Sequence, residues 1–115
     1  MPKKHLIKWT APARFDLFEI IEYIALDNRN DAQKILNKMQ DAAAKLAVFP
    51  QRGRIVPELA KYGYSLYRET LVLPWRIIYK IAGNIVYVLT VLDSRRNVED
   101  IILKRIVLRT YSNLS

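Results

Sequence analysis

The stretch WRIIYKIAGNIVYVLTVLD, residues 75–93, reads as a β-hairpin from which the rest of the chain can be placed. Two apolar runs rich in β-branched and aromatic residues flank Gly83-Asn84, a two-residue hairpin signal. With that turn, Ala82 faces Ile85. Counting back pairs Tyr79 with Val88, Ile77 with Thr90 and Trp75 with Leu92, on one apolar face that also holds Ile81 and Val86. The other face pairs Lys80 with Tyr87, Ile78 with Leu89 and Arg76 with Val91, and places Asp93 diagonal to Arg76. A longer loop or a one-residue slip would move every partner.

Arg76 is the anomaly in this hairpin. A guanidinium does not lose its charge at any working pH, so a strand that carries one must lead it to water or use it. The register places Arg76 on the face away from the apolar pairs, near Asp93 and in line with Arg95. Two uses are open. One is an Arg76–Asp93 ion pair on a solvated sheet face, worth less than about 1 kcal/mol. The other is an anion-binding cleft built from Arg68, Arg76, Arg95 and Arg96, with Tyr64, Tyr67 and Tyr87 as stacking surfaces for bases.

Outward from the hairpin, YSLYRETLVL (residues 64–73) reads as a preceding strand of unfixed register, and HLIKW (5–9) as a short first strand. Thr10 is a helix N-cap with Pro12 in the first turn. Arg14, Leu17, Phe18, Ile21, Ile24 and Ala25 then recur at helical spacing, predicting a helix over 11–28. Asn30 or Asp31 caps a second helix, whose inner face is Ala32, Ile35, Leu36, Met39, Ala43 and Leu46. The short break between the two predicts an antiparallel helical hairpin. FPQRGRIVPEL (49–59) is irregular, because Pro50, Gly53 and Pro57 interrupt it. After SRRN, Asn97 caps a last helix with Glu99 and Asp100 in its first turn. The TYSNLS tail is expected to fray.

The order of elements is α+β: a helical hairpin on one face of a mostly antiparallel sheet with a three-strand meander, then a C-terminal helix. With 115 residues, no repeat and no linker, the chain reads as one domain, 1–115. Its hydrophobic fraction of 51% is enough for a core. The absence of cysteine rules out disulfides and thiolate chemistry and suits a reducing compartment. No run is apolar for long enough to span a bilayer, and no secretory signal is visible, so a soluble cytoplasmic protein without membrane partners is expected. The formal net charge of +8 favours acidic partners.

The ordered set RGRIVPEL after the second helix, then YRE, WRIIYKI and VLTVLDSRRNVEDII, resembles the RelE/ParE family of bacterial toxins. The resemblance runs from Trp9 through the helix after Arg96. It implies a toxin of a type II toxin–antitoxin pair, needing no cofactor and no metal. Its partner would be an acidic antitoxin that wraps the toxin partly by helix and partly by strand addition. The family divides by target. RelE-like members enter the ribosome and cut mRNA by general acid–base chemistry, whereas ParE-like members poison DNA gyrase.

For the nuclease branch, the resemblance gives Arg76 the scissile phosphate, with Arg68 and Arg95 or Arg96 as further basic groups and Glu58 as general base. Nucleases of this kind carry a His or Tyr just after the last strand, as proton donor to the leaving oxygen. Here DSRRNVEDIILKR has neither. His5, the single histidine, is expected at the surface of the first strand, and Tyr111 lies beyond the last helix. The missing acid, with the basic helix LKRIVLR, tilts the reading to a gyrase poison whose target-contact residues are Lys104, Arg105 and Arg109. The alternatives are the ribosome-dependent nuclease and a member that keeps the fold but has lost toxicity.

Overall fold

The computed structural model describes residues 4–108. Strand β1 (Leu6–Trp9) leads into the helical hairpin α1 (Ala11–Ala25) and α2 (Arg29–Ala44). Two 3₁₀ turns, Lys45–Ala47 and Pro50–Arg52, precede a two-residue strand β2 (Arg54–Ile55) and a one-turn helix α3 (Pro57–Ala60). The meander β3 (Tyr67–Val72), β4 (Trp75–Ala82) and β5 (Ile85–Asp93) follows. The last helix α4 (Val98–Ile102) continues as a π-helical segment over Leu103–Leu108.

The five strands form one sheet in the order β1-β5-β4-β3-β2. Among the described residues, only β1 and β5 run parallel; every other neighbour is antiparallel. The Thr10 hydroxyl accepts from the Ala13 amide and donates to the Val88 carbonyl, so the cap that starts α1 also ties it to β5. The N-cap of α2 is Asn28, earlier than Asn30 or Asp31, and α1 stops at Ala25. Of the predicted inner face of α2, Ala32, Met39 and Ala43 are buried and Ile35 and Leu36 half-buried, while the buried Leu46 lies just past the helix in the 3₁₀ turn. On α1 the buried positions are Ala13 and Asp16, while Phe18 is left 63% exposed.

Gly83 takes a φ of 61°, as its turn requires. From that turn the expected register holds from Ala82↔Ile85 to Tyr79↔Val88. A bulge at the next step then shifts the partners, so that Ile78 meets Thr90, Ile77 meets Val91, Arg76 meets Leu92 and Trp75 meets Asp93. Despite the shift, Ile77, Val88 and Val91 pack with Ala13, Met39 and Ala43 under the helical hairpin.

The face away from the hairpin is not a wet surface. Ile78 and Leu92 pack there with Val56 and Leu59 from the β2–α3 segment and with Val98 and Ile102 of α4. Apolar cores therefore lie on both sides of the sheet, and Arg76, Ile77, Ile78 and Tyr79 of β4 are buried on either face. No described helix is long and apolar enough to cross a membrane.

Candidate functional site

Arg76 points away from the helical hairpin, as the alternation requires, but it meets neither Asp93 nor water. Its residue is 5% exposed. Nη1 and Nη2 each donate to one oxygen of Glu58 at 2.7 Å. Nε donates to Glu69 Oε1 at 2.6 Å, and Nη2 lies 2.5 Å from the same oxygen. All three guanidinium nitrogens are thus on carboxylates. The second oxygen of Glu69 takes Arg54 Nε at 2.5 Å. Two arginines and two glutamates cancel, which is the condition for holding a carboxylate as buried as Glu69, at 1% exposure.

Local chain features build this quartet. Glu69 and Arg76 lie on the same sheet face, because Glu69 pairs with Ile78, two residues along β4 from Arg76. Arg54 pairs directly with Glu69 on β2. Pro57 starts the single turn of α3, which swings Glu58 over the sheet. The bidentate bonds from Arg76 hold the Glu58 carboxyl below its usual pKa, against burial, which pushes the other way. The same bonds hold the Arg76 proton more firmly.

Arg68 does not join this group. It pairs with Tyr79, which puts it on the opposite face, and its Nη1 donates to the carbonyls of Gly53 and Gln51. Beside it, the Tyr79 hydroxyl donates to the Pro50 carbonyl and accepts from the Gly53 amide, and burial raises its pKa. Gly53 has no room for a side chain: a Cβ there would collide with the Glu69 backbone and the Tyr79 hydroxyl. Of the proposed stacking tyrosines, Tyr67 packs against the second core, Tyr87 lies beneath Lys80 and Tyr64 precedes β3.

Arg95 pairs with Asp93 at 2.7 Å and lowers that carboxyl to a pKa of about 2. Asp93 is therefore the partner of Arg95 and not of Arg76. Arg95, Arg96, Lys104 and Arg105 do come together, around a cleft of about 780 Å³ between α1, the far ends of β4 and β5, and the C-terminal helix. Arg109 and Tyr111 lie outside the described residues.

Helical spacing did not single out Asp16. This α1 carboxylate is 6% exposed and accepts from the Thr90 hydroxyl at 2.7 Å and the Val91 amide at 3.1 Å. Arg105 Nη1 closes on it at 2.5 and 2.6 Å. The physical reason is an unfinished sheet edge. β5 runs past the end of β1, whose last partner is Val88, and Asp16 serves the exposed polar groups beyond. Its position three residues after Ala13, on the buried face, was the available signal.

A second groove lies along β1, which among the described residues is an edge strand of the sheet. Ile7, Trp9, Leu17, Phe18, Ile21 and Leu36 form its apolar wall, with Lys8 and Arg14 at its rim. Among the described residues, no group of three or more His, Asp or Glu side chains is placed to hold a metal ion.

With this geometry in view, comparison with known proteins gives the class. Residues 7–98 match the family described as the ParE toxin of the type II toxin–antitoxin system parDE. The chain belongs to this family of type II toxins, within the RelE/ParE superfamily. Among its relatives is Toxin RelE2 of Caulobacter vibrioides, 30% identical over 91 residues, a match covering 78% of this chain and 96% of the relative. Toxin ParE3 of the same organism is 30% identical over 89 residues, covering 76% and 85%. The fold is shared with a chain of the chromosomal ParDE system from P. aeruginosa (TM-score 0.64, 19% identity, 78% of this chain and 96% of that one). It is also shared with a chain of the RelBE2 toxin–antitoxin complex from Mycobacterium tuberculosis (TM-score 0.59, 20% identity, 81% and 94%).

Proposed function

We propose that this toxin acts without cutting RNA, as a ParE-like inhibitor of DNA gyrase that an antitoxin neutralises. One observation carries the reading: every nitrogen of the Arg76 guanidinium is spent on Glu58 and Glu69. A scissile phosphate would have to pull Arg76 off both carboxylates and leave Glu69 buried with Arg54 alone. Breaking a buried pair of this kind costs about 3–5 kcal/mol, which would be subtracted from any phosphate affinity. Glu58 is a poor general base in this setting, because its bonds to Arg76 hold the carboxylate and lower its basicity. Arg68, on the other sheet face, does not complete a phosphate site with Arg76. Residues 94–105, directly after β5, contain no His or Tyr to act as an acid.

The antitoxin is assigned to the groove beside β1. An open strand edge accepts an extended segment, the apolar wall takes its side chains, and Lys8 and Arg14 favour acidic residues. The test is DNA supercoiling by purified gyrase with increasing toxin. Inhibition that the cognate antitoxin reverses supports the reading. Unimpaired supercoiling at excess toxin, with mRNA cut in a translation reaction, would replace it with the nuclease reading.

A further inference from the structure

Four basic residues from two segments, Arg95 and Arg96 after β5 and Lys104 and Arg105 on the last helix, border one cleft. We infer that this cleft is the surface by which the toxin grips its protein target, and that it receives an acidic segment bearing an apolar anchor. The assignment rests on the gyrase reading and adds the place and chemistry of contact.

The wall charges sort themselves. Arg95 is neutralised by Asp93, and Arg105 by Asp16. Arg96 and Lys104 are exposed and, among the described residues, pair with no carboxylate. They are the cations left for a partner. The floor between them is apolar, formed by the half-buried Ile20, Ile24, Trp75 and Ile101. A cleft of about 780 Å³ accommodates several side chains.

The occupant is a peptide rather than a nucleic acid backbone. The carboxylate of Glu19, in no ion pair among the described residues, also lines the cleft and would repel a run of phosphates. An acidic peptide can set its carboxylates on Arg96 and Lys104 and its apolar side chain on the floor, away from Glu19. The Asp16–Arg105 contact fixes the helix that presents Lys104, so the basic rim is held in place before the target arrives.

The test compares three proteins in gyrase supercoiling: wild type, R96E/K104E, and K34E/K38E. The last pair lies on the exposed side of α2 and makes the same change in net charge. All four positions are exposed, and thermal melts check that each protein is folded. The expected result is that R96E/K104E needs about tenfold more toxin for equal inhibition, while K34E/K38E stays close to wild type. Equal inhibition by wild type and R96E/K104E overturns the cleft assignment alone. Equal loss in both double variants also overturns it, because net charge would then be the cause. If R96E/K104E loses binding to plasmid DNA without gyrase in step with inhibition, nucleic acid is the ligand and the assignment falls. A wild-type chain that leaves gyrase unaffected removes the gyrase reading and this assignment together.

Discussion

Arg76 and Glu58 face each other with two parallel bonds of 2.7 Å, one from each terminal nitrogen of the guanidinium to one carboxylate oxygen. A bidentate pair is among the stronger polar contacts a protein makes, and this one bolts α3 to β4 across the second core. Replacing Arg76 by Ala should therefore cost about 3–5 kcal/mol, since Glu69 loses its principal counter-charge. Glu58→Gln keeps the shape and should cost less, about 1–3 kcal/mol. Urea denaturation of both variants measures the difference. Loss of less than about 1 kcal/mol in Arg76→Ala would show that the quartet does not hold the domain together.

Glu58 also gives the fold a dependence on acid. Its folded pKa lies below the usual 4.5, so its stabilising effect is fully present above that value. The effect is lost as pH falls through the depressed folded pKa. The melting temperature of the wild type should drop more steeply as pH falls below 4.5 than that of Glu58→Gln, which has no carboxyl there to protonate. Parallel curves would remove Glu58 as a source of the acid sensitivity.

Much of this fold could be read from short-range chemistry. Thr10, Asn97 and the Gly83-Asn84 turn each act within three or four residues, and all three are found in those roles. Strand alternation sent Arg76 to the correct face. What lay beyond the sequence was long-range. No residue marks the bulge after Val88, and it is the bulge that carries Asp93 from beside Arg76 to beside Trp75. The helix α3 is one turn long, too short to leave a periodic signal, yet it covers the sheet face and brings Glu58 to Arg76. Glu69 was hidden for a related reason: TLVLP fixes no register, and only the register places Glu69 near Arg76.

Asp16 and Arg105 offer a cleaner energetic measurement. Both oxygens of Asp16 contact Arg105 Nη1, while Thr90 and Val91 use one of them. In a double-mutant cycle with Asp16→Asn and Arg105→Gln, the coupling should be about 1–2 kcal/mol. Asp16→Ala should be worse than Arg105→Ala, because it also orphans the Thr90 hydroxyl and the Val91 amide. Additive single effects would mean that the contact adds nothing to stability.

Gly53 is fixed by close approach and not by an unusual backbone angle, since its φ is −75°. Gly53→Ala should cost about 1–3 kcal/mol through displacement of the Glu69 backbone or the Tyr79 hydroxyl. A crystal structure of the variant should show β2 moved away from β3. An unshifted β2 with wild-type stability would contradict the packing described here.

Under the proposed gyrase reading, Arg76 serves the fold and the toxin does not cut RNA. Primer extension in a reconstituted translation reaction with purified toxin maps the mRNA 5′ ends and decides the matter. The same ends are expected with and without wild-type toxin. New ends within codons that require ribosomes, and that vanish in a folded Arg76→Lys variant, would contradict it and give Arg76 to phosphate.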